Sequence, residues 1–229
     1  MIHKTRGIVL NYIKYRETSI IVKIFTEAFG LQSYIVHSVR TKKSKFKIAL
    51  FQPLTLLDMV VYYKKGGSLQ RIAEVRCHTP LNGILGEIKK STIAIFLTEL
   101  LTKVIRGEER CKRLFEFLFQ TVITFDHSSS GHHLFPLTFM LKLCNYLGFG
   151  ISSAKEITHQ LTQLIDDHGF SEKEEEILTT LLQGHVNGIT TINKTTRRNL
   201  IEGILKFYRL HIDSLGELKS LNVLQEVGG

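Results

Sequence analysis

The chain has 229 residues, 43% of them hydrophobic and 22% charged, with 30 Lys/Arg against 21 Asp/Glu and three cysteines. That balance excludes a largely disordered chain, and the length suits one large domain or two modest ones. The greasy stretches are cut by charges short of the ~18 residues of a membrane span. No signal-peptide pattern opens MIHKTRGIVL, and the sparse, odd set Cys77, Cys111 and Cys144 predicts reduced thiols in the cytosol.

The excess charge is uneven. Residues 1–80 carry 14 Lys/Arg against 4 Asp/Glu, and residues 81–229 carry 16 against 17. A field of one sign over one third of the chain predicts a polyanionic partner, either nucleic acid or an anionic membrane surface.

In chain order, KTRGIVLNYIKY is rich in β-branched residues and aromatics. TSIIVKIFT alternates, with Ile20, Val22 and Ile24 on one face. Glu27 to Gly30 reads as a turn and LQSYIVHSV as the returning strand. LFQPLTLLDMVVYY reads as a fourth strand with Pro53 near its start, KKGG as a turn, and LQRIAEVRC as a fifth strand closed by Pro80. Five strands in about eighty residues fit a small barrel, either an OB-fold or an SH3-like barrel.

Between the third and fourth predicted strands, Arg40, Lys42, Lys43, Lys45 and Lys47 fall within eight positions, and no acid occurs from 38 to 57. A solvated loop would look the same. The missing acids and the basic surroundings, with Lys64, Lys65, Arg71 and Arg76, favour a phosphate track. Phe46, inside the run, is a stacking platform or an anchor to the barrel, and the anchor is the preferred reading.

From Glu87 the period becomes helical. Ile93, Phe96/Leu97, Leu100/Leu101 and Val104 form one stripe, stopped by Gly107; Leu114, Leu118 and Val122 form another. DHSSSGHH reads as a polar loop. A third helix starts near Pro136 and stops at Gly148. Residues 149–170 are less regular. Ser171 with Glu174 forms a capping box ahead of a helix that stops at Gly184. A last helix covers about 195–212 with the stripe Leu200, Ile201, Ile204, Leu205 and Tyr208, and the tail LGELKSLNVLQEV is apolar enough to fold back.

No catalytic constellation emerges. GFGISSAK lacks the Gly-Lys-Ser/Thr of a P-loop, and neither a Gly-x-Ser-x-Gly elbow nor a His-Glu-x-x-His pair occurs. His127, His132 and His133, and the Asp166-Asp167-His168 run, have no Cys or carboxylate spaced to complete a metal site. Cys111 and Cys144 sit on apolar helical patterns as core fillers. The residues alone predict a basic barrel plus a helical domain that binds and does not catalyse, with no cofactor and no metal.

The stretch KTRGIVLNYIKYRETSIIVKIFTEAFGLQSYIVHSVR, continued by LFQPLTLLDMVVY, resembles the N-terminal domain of the RecO family of bacterial DNA repair proteins. LCNYLGFG resembles that family's mid-chain helix end, and FYRLHIDSLGELKSLNVLQEV its C-terminal signature. The resemblance implies an α+β architecture, with an N-terminal five-stranded OB-fold over 1–80 and an all-helical domain over 81–229. It further implies a recombination mediator that binds single- and double-stranded DNA and anneals complementary strands. Its implied partners are RecR, the acidic C-terminal tail of single-stranded DNA-binding protein (SSB) and, indirectly, RecA, on the nucleoid in the cytoplasm.

Many family members carry a four-cysteine zinc module after the Leu-Gly-Phe segment. Residues 149–190 here contain no cysteine. No structural zinc is expected, and Ile157, Leu161, Leu164 and Ile165 are expected to hold the region by apolar contact.

The DNA-contacting candidates are Arg40, Lys42, Lys43, Lys45 and Lys47, extended by Arg6, Lys14, Arg16 and Arg76. The candidates for the SSB tail are Lys103, Arg106, Arg110, Lys112 and Arg113. The competing readings are a general RNA- or DNA-binding barrel without mediator activity, a membrane-surface module, disfavoured because the basic excess lies in a β-rich segment, and a metal-dependent nucleic-acid enzyme.

Overall fold

The computed structural model describes residues 1–41, 45–107, 110–185 and 192–227. Five strands, β1 (Ile2–Tyr15), β2 (Ser19–Thr26), β3 (Gly30–Val36), β4 (Leu56–Tyr62) and β5 (Gln70–Thr79), close a barrel in the order β1-β2-β3-β5-β4. β3 and β5 run parallel and the other neighbours antiparallel. This is the OB-fold arrangement.

The period-2 rule sorts the side chains. Val9, Ile20, Val22, Ile24, Tyr34, Val36, Leu57, Met59 and Val61 point inward and form the core. A bulge between Val9 and Asn11 bends β1, whose first half, Ile2 to Ile8, pairs with β4 and whose second half, Gly7 to Tyr15, pairs with β2. Gly7 sits where the wall is tightest: a Cβ there would lie 2.6 Å from Ile24 Cγ2 and 2.7 Å from Met59 Cε. The β2–β3 turn is as expected, with Gly30 at φ 63°.

One strand boundary differs. Residues Ile48–Phe51 form a 3-10 turn, Leu54 takes φ 62°, and β4 starts only at Leu56. Pro53 therefore precedes the strand. The apolar run LFQPLTLL suits either state, because Phe46, Ile48 and Leu50 insert against the barrel core without any strand pairing.

The helices are α1 (Asn82–Gly86), α2 (Ile88–Val104), α3 (Lys112–His127), α4 (Phe135–Leu147), α5 (Ala154–Ile165), α6 (Glu172–Leu182), α7 (Lys194–His211) and α8 (Ser220–Val227). The chain divides into two compact units, Met1–His127 and Ser128–Gly229. The expected boundary at 80/81 thus falls inside the first unit. The reason is packing: α2 lies against β1, and Phe115 of α3 meets Phe25 of β2 at 5.9 Å between centroids. Ile8 and Leu10 point out of the barrel yet are fully buried. Asp126, expected in a loop, is a buried residue in the last turn of α3. Its carboxylate accepts from the Ile84 N–H at 2.7 Å, and its carbonyl accepts from the buried Lys90 ammonium at 2.9 Å, which ties α1, α2 and α3 together.

The second unit packs α4, α5, α6 and α7 on one another. The α7 stripe, Leu200, Ile201, Ile204, Leu205 and Tyr208, is buried throughout, each side chain worth ~1.5–3 kcal/mol of gross transfer energy. The buried Tyr208 hydroxyl donates to the Met140 carbonyl at 2.7 Å. The capping box at Ser171 and Glu174 is present. Residues 149–170, the less regular stretch, contain α5. Ala154, Ile157 and Leu161 are its buried positions, at i, i+3 and i+7. Leu164 and Ile165, expected to pack, are 65% and 45% exposed, because the helix ends there at a left-handed Asp166. The corner beyond is held instead by Asp167, whose carboxylate accepts from Lys206 Nζ at 2.5 Å. Phe170 adds to it, with a ring that fills the space where a Cβ on Gly203 would stand.

Candidate nucleic-acid interface

The cations of the barrel fall on two outward faces whose arginines differ in pairing. Cross-strand register puts Arg6, Asp58 and Arg76 in one row across β1, β4 and β5, with Lys4, Val60 and Glu74 in a neighbouring row. They line a cleft of about 610 Å³. Arg6 is fully engaged. Its Nε meets Glu27 Oε2 at 3.0 Å, its Nη2 meets Glu116 of α3, and its guanidinium lies 4.8 Å from the Phe119 ring centroid and 5.2 Å from that of Phe115. The hydrogen bond from Arg6 holds the Glu27 carboxyl below its ordinary range, with Lys112 and Arg110 adding to the pull. Arg76 pairs with Asp58 at 3.1 Å, and His78 Nδ1 lies 3.0 Å from the other Asp58 oxygen. Burial pushes the Asp58 carboxyl up, but the His78 and Arg76 contacts outweigh it and leave it below the usual value. Arg6 and Arg76 are thus charge-compensated, while the exposed Lys4 beside them forms no ion pair among the described residues.

The second face lies on β1, β2 and β3. Its rows are Asn11–Lys23–Ser33 and Ile13–Ile21–Ile35, and Ile35 neighbours Arg71 on β5. Lys23 and Arg71 are exposed, as is Ile13. Two turns border it. The end of β1 carries Lys14 and the β1–β2 turn Arg16, both exposed, and Arg16 lies 5.3 Å from the Tyr15 ring centroid. The β4–β5 turn opens beside Tyr34 of β3 and presents Lys64 and Lys65. Gln70 makes that turn rigid: its Oε1 accepts from the Lys64 N–H at 2.9 Å, and its Nε2 donates to the carbonyls of Lys64 at 2.8 Å and Gly67 at 3.0 Å. Among the described residues, Lys14, Lys23, Lys47, Lys64, Lys65 and Arg71 form no ion pair.

The basic run begins at this same end. Arg40 donates from Nη1 to the Glu17 carbonyl at 2.9 Å, and from its backbone N–H to the Thr18 carbonyl at 3.1 Å. That brings Arg16 and Arg40, 24 positions apart in sequence, to one turn. Lys42 and Lys43 lie outside the described residues. Lys45 donates to the Ala73 carbonyl at 2.8 Å and sits 5.1 Å from the Phe46 ring centroid; Lys47 is exposed. Phe46 packs against the barrel core, as an anchor does.

The structure does not bring Arg6 and Arg76 to this face. Sequence reading had also left Lys23 out, although alternation with Ile20, Val22 and Ile24 already marks it as outward-facing, and had counted Lys64, Lys65 and Arg71 only toward the general field. The remaining candidates belong to the same compact unit. Lys103 lies 3.9 Å from Glu99, and Arg106, Arg110, Lys112 and Arg113 are exposed around the start of α3.

The N-terminal pattern of the recombination protein O family matches residues 1–81, and its C-terminal pattern matches residues 85–165. The chain belongs to the RecO family. It is 36% identical to the DNA repair protein RecO of Flavobacterium psychrophilum over 98% of both chains. It is 33% identical to that of Flavobacterium johnsoniae over 98% of both, and 32% identical to that of Bacteroides fragilis over 99% of both. α5 and α6 contain no cysteine, and among the described residues no group of three or more His, Cys, Asp or Glu is placed to hold a metal. Among the same residues no helix is long and apolar enough to cross a membrane.

Proposed function

We propose that this chain is a DNA repair and recombination mediator whose barrel binds single- and double-stranded DNA through the sugar-phosphate backbone. The observation that carries this is the contrast in pairing. Among the described residues, the cations Lys14, Lys23, Lys64, Lys65 and Arg71 on the β1–β2–β3 face and its borders form no ion pair, and OB-folds take oligonucleotides on that face and those loops. Arg40, Lys42, Lys43, Lys45 and Lys47 extend the track from the β1–β2 turn, with Lys14, Arg16, Lys23, Lys64, Lys65 and Arg71. Arg6 and Arg76 stay outside it, because a phosphate would have to displace their carboxylates.

Phosphate contacts carry no base information, so binding is sequence-tolerant. Annealing then needs no catalytic group. A basic surface lowers the repulsion between two polyanionic strands and holds them in register range. The strands are delivered coated with SSB, whose acidic tail engages Lys103, Arg106, Arg110, Lys112 or Arg113 beside the apolar faces of α2 and α3. RecR joins the chain in loading RecA, in the cytoplasm. The test is annealing of complementary oligonucleotides precoated with SSB, across a salt series. Acceleration that fades as salt rises supports the mediator reading. DNA binding without acceleration leaves a general nucleic-acid-binding barrel, and a parallel series with RNA strands then decides its preference.

A further inference from the structure

The two outer faces of the barrel meet in one row. Register carries Ile13 of β1 across to Ile21 of β2 and Ile35 of β3, then to Arg71 of β5, Tyr62 of β4 and Ile2, the first residue of β1. Neighbouring strands lie about 4.8 Å apart, so the row runs on the order of 24 Å along the outer wall. Arg71 is its single charge. The acids of residues 1–80, Glu17, Glu27, Asp58 and Glu74, all lie off it.

The row is open to water. Ile2 and Ile13 are each 61% exposed and Tyr62 50%, while Ile21 and Ile35 are half-buried. Cross-strand contact between β-branched side chains supports a sheet, and it accounts for the two half-buried isoleucines. It gives Tyr62 and Ile13 no reason to face solvent. A lone exposed hydrophobe is ordinary, but a row of them points to something that covers it.

Charge identifies the cover. Arg71 forms no ion pair among the described residues. Lys23 stands in the adjacent row, Lys14 and Arg16 follow Ile13, and Lys64 and Lys65 follow Tyr62. An apolar floor rimmed by such cations suits a ligand of flat apolar faces joined by anions. A partner protein would need an acidic surface with an apolar stripe at this one place. A single nucleic-acid strand repeats the pairing at every nucleotide. A duplex does not, because its base faces are stacked inside and only base edges reach its grooves.

We infer that this row is a nucleobase platform. The inference rests on the DNA-binding reading above and names the form of substrate that the barrel prefers: unpaired strand, with base faces on Ile13, Ile35 and Tyr62 and a phosphate on Arg71 between them. Contact with base faces favours single strand over duplex without reading sequence. The remaining cations hold either form.

The test titrates the full chain with three probes of equal length: a single-stranded oligonucleotide, the same strand built of abasic sugar phosphates, and a hairpin duplex. The wild type should bind the intact strand about tenfold more tightly than the abasic one. Ile13→Thr/Tyr62→Ser should lose most of that preference, with duplex affinity and the salt slope unchanged. Tyr62→Phe keeps the ring and should keep the preference. The unfolding midpoint checks that each variant is folded, and the comparison of intact with abasic strand needs no variant. A wild type that binds both strands equally overturns the platform, leaves the DNA-binding reading intact and assigns the row to a protein partner. A preference that survives in the double variant places the bases elsewhere and overturns the platform as well. A wild type that binds none of the probes overturns the proposed function and the platform together.

Discussion

Two faces of one barrel carry cations and use them differently. On the β1–β4–β5 face, Arg6 and Arg76 are answered by Glu27, Glu116 and Asp58. On the β1–β2–β3 face and at its border with β5, Lys23 and Arg71 form no ion pair among the described residues. Net charge cannot tell these faces apart. Pairing can: a paired arginine fixes structure, and an unpaired one on a solvated face is available to a polyanion.

The comparison breaks most readily at the unpaired face. Replacing Lys23, Lys64, Lys65 and Arg71 together with Ala removes up to four phosphate contacts. Affinity for a single-stranded oligonucleotide should fall on the order of a hundredfold at ~0.1 M salt, while the unfolding midpoint changes little. A lost midpoint with unaltered affinity would invert the assignment of the two faces.

Arg6→Met should do the opposite. It leaves Glu27 and Glu116 unanswered and strips the cation from Phe115 and Phe119. The expected loss is about 2 kcal/mol, less than for a fully buried pair because water still reaches it. Denaturant unfolding measures it, and DNA affinity per folded molecule should hold. Equal stability of variant and wild type would show that α3 is held on the barrel without this pair.

Acid should weaken the paired face selectively. Glu27 and Asp58 titrate below their ordinary values in the folded chain. Their contribution is therefore complete above the unfolded carboxylate range, near ~4, and is lost as pH falls through the depressed folded values. Melting curves from pH 6 to pH 3 should show a steeper acid loss for wild type than for Glu27→Gln. Parallel curves would mean Glu27 gains nothing from Arg6.

The smallest effect concerns the lumen. Burial pushes the Tyr34 phenol up, and among the described residues its hydroxyl meets the geometric criteria of a hydrogen bond with none. The nearby Thr26 hydroxyl is already committed, donating to the Gly30 carbonyl at 2.9 Å and accepting from the Phe29 N–H at 3.1 Å. Tyr34→Phe should be neutral or more stable by up to ~1 kcal/mol in calorimetry. A clear loss would reveal a partner for that hydroxyl.

Much of the architecture was legible in the chain. Alternation in TSIIVKIFT, the turn at Gly30 and the 3.6-residue stripe of α7 each rest on local physics, and each stands in the fold. What was hidden depended on distance. Nothing local says that Ile8 and Leu10 are covered by helices, so the barrel and α1–α3 did not read as one unit. The apolar run before Leu56 could not reveal that it plugs a barrel instead of pairing. The site divides the same way. The basic excess and the loop from Arg40 could be counted, but Arg6 looked as available as Lys23 because its partner Glu116 is 110 positions away. Charge is a property of composition, and pairing is a property of the fold.

The most direct test of the central claim is the salt dependence of binding to one single-stranded oligonucleotide, for wild type, Lys23→Ala/Arg71→Ala, and Arg76→Ala. The account predicts a slope shallower by about 1.4 for the double variant and unchanged for Arg76→Ala. A double variant with the wild-type slope, or an Arg76→Ala variant that flattens it, would contradict the account.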